Sequence, residues 1–255
     1  MPKLKIGFTE RGDGGLDLSW AQKCKDRKVD GAVIITKSLT DKCIEAILEL
    51  TQNDFPVILH ATCTGWGGTE IEPGAYPYTA QMDQMLKLKE KRFPLSHMVL
   101  RIDPIWPTKN GIKRACEVID AALERNILPA ARCRISVLDE YRHVKQRIIK
   151  VGYMPAYGPD RFYPNIQELE IVQQALSKYP MVFETCAEPF LSDKNHFRQA
   201  GCLSETDYRL MGFSVDTELE NMQHRNGCHC LSGKTELLTE RHPCPNKCIY
   251  CYWKD

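Results

Sequence analysis

The chain ends in the run His242-Pro243-Cys244-Pro245-Asn246-Lys247-Cys248-Ile249-Tyr250-Cys251-Tyr252. Three cysteines stand at the spacing C-x3-C-x2-C, with an aromatic residue directly before the third. Three thiolates can hold three irons of a cubic 4Fe–4S cluster and leave the fourth iron open to a ligand. The rival chemistry is a zinc ion, which takes four donors, with Cys228, His229 or Cys230 supplying the last one. The uneven spacing suits the corners of a cube better than the paired C-x2-C knuckles of zinc domains. The metal ligands read from the sequence are therefore Cys244, Cys248 and Cys251. Cys228 and Cys230 form a second dense pair. They could ligate another cluster or metal, or give a hydrogen atom to a radical; the plain alternative is a tight structural turn. Cys186 stands at the end of an apolar run and could act as a thiol or simply pack in a core. These three are the candidate catalytic residues.

Composition narrows the class. The 255 residues are 43% hydrophobic and 26% charged, which is globular and leaves room for one large domain or two small ones. A net charge of +1 creates no global field toward nucleic acid or membrane. No apolar run approaches bilayer length, and Met1-Pro2-Lys3-Leu4-Lys5 has no signal-peptide core, so a cytoplasmic location and no membrane partner are expected. Twelve cysteines in a chain of this length, with no secretion signal, favour reduced thiols and a metal site over disulfides.

The elements that must position these residues alternate along the chain. Apolar runs at 4–8, 31–36, 56–62, 98–102, 133–138 and 181–185 read as strands buried on both faces. Segments 40–51, 111–125 and 165–178 carry apolar residues at helical spacing, the first behind a Thr40 cap and the last behind Pro164. Residues 204–221 read as a further helix. Repeated β-then-α units imply a parallel sheet with right-handed crossovers. Six units, with no G-x-G-x-x-G after the first strand, point to an α/β partial (β/α)6 TIM-like barrel over 1–200 rather than a doubly wound sheet. Residues 201–255 are then a C-terminal extension that carries the cysteine motif across the barrel mouth. Polar residues cluster at the strand ends, where such folds place their reactive groups.

The motif at Cys244, Cys248 and Cys251, with Tyr250 in the aromatic slot, resembles the signature of the radical S-adenosylmethionine enzymes. Several further elements resemble one bacterial group with a barrel body and a C-terminal cysteine cluster, related to the spore photoproduct lyases. These are Thr36-Lys37, Arg101-Ile102-Asp103-Pro104-Ile105, Glu184-Thr185-Cys186-Ala187-Glu188 and Asn226-Gly227-Cys228-His229-Cys230. The N-terminal Thr9-Glu10-Arg11-Gly12-Asp13 departs from that group's Ser-Arg-Arg-Thr-Asp. The resemblance implies a 4Fe–4S cluster and S-adenosyl-L-methionine as cofactors, and a reductant of the flavodoxin or ferredoxin type as partner. It implies a 5′-deoxyadenosyl radical as the working species and a nucleobase, such as a thymine derivative in DNA or a nucleoside, as substrate.

In that light Gly65-Trp66-Gly67-Gly68-Thr69-Glu70 resembles the Gly-Gly-Glu element that lines the methionine amine, which makes Gly67, Gly68 and Glu70 cofactor candidates. Lys37 and Arg101 could hold the methionine carboxylate or a substrate phosphate. Asp103, Glu184 and Glu188, with Ser136, could hold ribose hydroxyls or the amine. The alternative for these charged residues is a satisfied polar layer inside the barrel. A basic stretch from Arg132 to Lys150 could meet nucleic acid or simply face solvent. Two other readings stand beside the radical enzyme: a zinc-stabilised, non-enzymatic binding module on a barrel scaffold, and a hydrolase built on His60, Asp103 and Glu188.

Overall fold

The structure, a computed structural model, describes residues 4–192, 196–214, 228–239 and 243–252. Eight parallel strands form one sheet: β1 (Ile6–Phe8), β2 (Gly31–Thr36), β3 (Val57–Thr62), β4 (Met98–Ile105), β5 (Arg132–Val137), β6 (Phe183–Thr185), β7 (Phe197–Gln199) and β8 (Lys234–Glu236). Their order across the sheet is β7-β6-β5-β4-β3-β2-β1-β8. Seven strands thus lie side by side in chain order, and the eighth returns to the opposite edge, parallel to β1. The first six fall where the apolar runs predict them. β7 and β8 were not anticipated, because each is three residues long and they share one apolar side chain, Phe197. That is too little for an alternation to register. β4 extends beyond the predicted end at residue 102, with a register shift between Ile102 and Ile105. Pro104 has no N–H to give to a ladder, so pairing is irregular there.

Helices α1 (Ser19–Asp26), α2 (Asp41–Gln52), α3 (Tyr78–Glu90), α4 (Lys109–Glu124), α5 (Arg142–Lys150) and α6 (Ile166–Leu176) fill the connections between strands β1 to β6. Short helices α7 (Pro189–Ser192) and α8 (Glu205–Leu210) follow. The expected Thr40 cap forms, accepting from Cys43 N at 3.2 Å, and Asn165, expected inside the helix, instead caps it in a reciprocal capping box with Glu168. α3 was harder to see, since a buried Gln81 interrupts its stripe of Met82, Met85 and Leu88. That glutamine is structural, accepting from Leu39 N at 2.8 Å and donating to Thr36 O at 3.1 Å. The helix expected over 204–221 is shorter, because Gly212, at φ +82°, follows α8 directly. Residues 215–221, with Asn226, Gly227 and His242, lie outside the described residues.

The sheet buries both faces. Ala32, Ile34, Leu59, Leu100 and Ile135 pack against Ile44, Met82, Ile119 and Val172 of the helices. The alternate residues Ile6, Phe8, Val33, Ile58 and Val99 pack against Leu203, Tyr208 and Met211 from the C-terminal quarter of the chain. Two-sided burial is why the strands read as continuous apolar runs. No helix among the described residues is long and apolar enough to cross a membrane.

Candidate functional site

A parallel sheet brings the carboxyl ends of its strands, and the loops after them, to one edge. Here that edge holds a cavity of about 200 Å³. Glu10 and Asp13 reach it from beyond β1, Thr36 and Lys37 from β2, Thr62 from β3, Arg101 and Asp103 from β4, and Ser136 from β5. The remaining wall is the C-terminal motif, with Cys244, Cys248, Cys251, Asn246 and Tyr250. All three cysteines are free thiols.

The motif is docked by the loop after β3. Gly74 N donates to Asn246 O at 3.1 Å, and Ile249 N donates to Ile71 O at 3.0 Å. The approach at Gly74 is close enough that a Cβ would lie 2.1 Å from Pro245 O. Trp66, Ile71, Cys248, Ile249 and Tyr250 form one apolar cluster beneath the loop. Polar ties complete the docking. Asp13 accepts from Lys37 N at 2.8 Å, from Thr36 Oγ1 and from Asn246 Nδ2. Lys37 Nζ donates to Glu72 Oε1 at 2.9 Å and to Tyr250 Oη at 2.7 Å, and Tyr250 Oη donates to Glu72. Arg147 from α5 donates to Cys251 O.

Burial disfavours a charge on Lys37, but the neighbouring Glu72 carboxylate and the Cys248 sulfur outweigh it, and its pKa lies above the ordinary lysine value. Burial pushes the Cys248 thiol up to about 12, against the pull of Lys37, and raises Cys244 as well. Such thiols ionise readily only when a metal takes the place of the proton. Arg101 ion-pairs with Asp103, while its Nε is buried with no hydrogen-bond partner among the described residues.

Below the cavity lies a layer of ion pairs. Arg134 donates to Glu184 Oε2 from Nε at 3.0 Å; Arg132 and Arg198 also reach Glu184, at 3.5 and 2.8 Å. Asp207 of α8 pairs with Arg132 at 2.5 Å and Arg134 at 3.5 Å. Burial raises the pKa values of Glu184 and Asp207, but the two guanidinium groups more than reverse this and hold both below the carboxylate range.

Residues 18–253 match a family model described as a domain of unknown function (DUF1848). The chain belongs to the DUF1848 family. No curated protein matches it. Among solved structures, a selenomethionine-incorporated holo diaminopropionate ammonia lyase from Escherichia coli aligns with 68% of this chain at 15% identity and a TM-score of 0.18. The DUF1848 chain spans about half of that enzyme, 48% of its length, and the likeness is too slight to transfer a fold or an activity.

The DUF1848 structure sorts the residues singled out in the sequence into four groups. Lys37, Arg101, Asp103, Ser136, Tyr250, Cys244, Cys248 and Cys251 line the strand-end cavity together. Gly67, Gly68 and Glu70 are not among its lining residues. Gly67 lies under Tyr76, whose carbonyl oxygen would be 1.9 Å from a Cβ, and Glu70 is exposed, with Tyr153 Oη 3.5 Å away. Glu184 belongs to the ion-pair layer, and Glu188 accepts from Val137 N at 2.8 Å. Cys186, Cys228 and Cys230 line a separate cavity of about 390 Å³. Sequence reasoning missed Asp13, Glu72, Asn246 and Cys202. Asn246 lay inside the motif itself, and Glu72 stands two residues beyond the expected Glu70.

The donors on this cavity wall are thiols, the ligand type that iron–sulfur clusters take. Three soft thiols face one cavity. Among the described residues no three or more His, Cys, Asp or Glu side chains gather round a point where a lone ion could sit. Thiolates on separate irons need no such convergence.

Proposed function

We propose that this protein is a radical S-adenosylmethionine enzyme whose 4Fe–4S cluster is held by Cys244, Cys248 and Cys251. One observation carries the reading: three free thiols at the spacing C-x3-C-x2-C share a single cavity with charged and polar side chains from the carboxyl ends of five strands. The strand order, sequential with helices α1–α4 and α6 packed on one face, supports a sheet curled as a partial barrel around that edge.

When bound, the cluster supplies one electron to the sulfonium of S-adenosylmethionine and so releases a 5′-deoxyadenosyl radical. The protein's own groups then have separable tasks. Glu72, Lys37 and Tyr250 fix the motif loop. Lys37 and Arg101 keep positive charge at the cavity wall, suited to the methionine carboxylate. Ser136 and Asp103 offer a hydroxyl and a carboxylate to ribose or amine groups. The apolar bed under the motif excludes water that would quench a radical. A reductant of the flavodoxin or ferredoxin type supplies the electron. The substrate we read as a nucleobase, as a nucleoside or in DNA. Part of the basic stretch is engaged internally, since Lys145 donates to the Tyr157 and Gly158 carbonyls and Arg147 to Cys251 O. This favours the smaller substrate.

The test is anaerobic reconstitution followed by reduction with S-adenosylmethionine present. The Cys244→Ala, Cys248→Ala, Cys251→Ala triple variant should lose about four irons relative to the wild type and all 5′-deoxyadenosine formation. A triple variant that keeps its full iron complement and still cleaves S-adenosylmethionine would overturn the assignment.

A further inference from the structure

The second cavity is walled by four thiols. Cys186 follows β6, Cys202 follows β7, and Cys228 and Cys230 precede β8. None of them belongs to the terminal motif. We propose that Cys186, Cys202, Cys228 and Cys230 hold a second iron–sulfur cluster, a 4Fe–4S group ligated at all four corners.

The thiols are already in mutual contact. Cys186 Sγ and Cys202 Sγ are 3.8 Å apart, and Cys202 N donates to Cys230 Sγ at 3.1 Å. A backbone N–H aimed at sulfur is one of the devices by which proteins stabilise cluster thiolates and set their potential. This contact depends on Gly201. A Cβ there would lie 2.5 Å from the backbone of Cys230 and 2.6 Å from His229 O, so only glycine lets the two cysteine segments meet. Cys202, Cys228 and Cys230 are buried in the apolar cluster with Ile6, Phe8 and Tyr208, and with Cys186 they also line a cavity of about 390 Å³. The space is large enough to admit a polynuclear group.

Among the described residues no three or more His, Cys, Asp or Glu side chains are placed to hold a single metal ion. Four thiolates on four irons stand farther apart than four on one zinc, and Cys186 and Cys202 can separate by rotation about χ1. Such a cluster is anionic. Lys234, half-buried on the cavity wall and ion-paired with Glu10 at 2.6 Å, places a cation there. With every corner held by protein, the group exchanges electrons and takes no substrate. Glu10, Asp139 and Tyr252 line both cavities, so the two sites are neighbours across one layer of side chains.

The experiment compares iron and zinc content, with electron paramagnetic resonance of the reduced proteins, after anaerobic reconstitution of the full-length chain. Three forms are needed: the wild type, the triple motif variant, and Cys228→Ala, Cys230→Ala. The proposal expects about eight irons in the wild type and about four in each variant, with two different signals. Should the double variant fail to fold, Cys228→Ser in the triple-variant background keeps the volume and should shift the remaining signal by exchanging sulfur for oxygen. A triple variant with no iron overturns the proposal. So does one that carries a single zinc, or one that shows a Cys186–Cys202 disulfide by mass loss in place of iron. A wild type that loses all its iron in the double variant and none in the triple would sustain this site while removing the one proposed at the motif.

Discussion

At the scale of single residues, the two carboxylates near the glycine-rich loop make the clearest contrast. Glu72 is buried against Lys37 and the Tyr250 hydroxyl, whereas Glu70 is exposed. Removing one partner from a buried pair leaves the other charge uncompensated, at a cost of about 3–5 kcal/mol. Glu72→Gln should therefore lower the melting temperature by roughly 6 °C or more, while Glu70→Gln changes stability by less than about 0.5 kcal/mol. Equal effects in a thermal melt would show that the loop is held some other way. His60 offers a second test. It is fully buried, and desolvation, reinforced by the charges of Arg134, Arg101, Arg132 and Lys234, holds its pKa well below 6.5. The unfolded chain binds that proton first, so stability falls as pH drops below 6.5. This one group should remove about 2 kcal/mol between pH 6.5 and 5, measured by denaturant unfolding, and His60→Gln should flatten most of that slope. His97, also lowered by burial, adds to the slope in the same direction. The sequence showed which residue types were available at this site but not their neighbours. Asp13 and Asn246 are separated by most of the chain, and no spacing rule links them. Cys202, alone in sequence, acquires its companions only through the fold.

Among the elements, the terminal motif depends on a strand-end loop it does not adjoin in sequence. Gly74 is the contact that decides its position. Its added Cβ would strike backbone atoms of Pro245 and Asn246, which cannot turn aside as a flexible side chain would. Gly74→Ala should therefore lift the motif from its bed, cut the iron retained after gel filtration, and speed the reaction of Cys248 with a thiol reagent in the metal-free protein. Gly158→Ala, where a Cβ meets nothing within 4 Å, is the control and should leave both readouts unchanged. The motif staying docked in Gly74→Ala would mean that the apolar bed alone positions it. The strands and capped helices of the sheet were legible in advance because two-sided burial and side-chain caps leave local marks in sequence. The motif cradle was not, since its glycine is identified only by what approaches it. β7 and β8 escaped notice for a related reason: at three residues each, they are strands because of the neighbours they pair with.

Across the whole molecule, the last quarter of the chain completes the body rather than adding to it. Ile6, Phe8, Val33, Ile58 and Val99 are covered by residues after position 201, and Asp207 supplies a counter-charge to Arg132 and Arg134. β8 extends the sheet beside β1, and Arg27 beyond α1 fastens it through Glu236 O and Thr239 Oγ1. Exposing five such apolar side chains forfeits about 1.5–3 kcal/mol each, or roughly 7–15 kcal/mol together. That matches the entire stability of an ordinary domain. The boundary near residue 200 that the sequence suggests thus carries a thermodynamic consequence. A chain ending at residue 200 should show no cooperative melt, should bind a hydrophobic dye, and should keep helical circular dichroism without ordered aromatic signals. A sharp, reversible transition in that fragment would mean the sheet stabilises itself and the later residues only decorate it. Expansion and dye binding would instead tie folding to the residues that carry the six cysteines from Cys202 onward, so that both candidate sites assemble in the same cooperative step as the core.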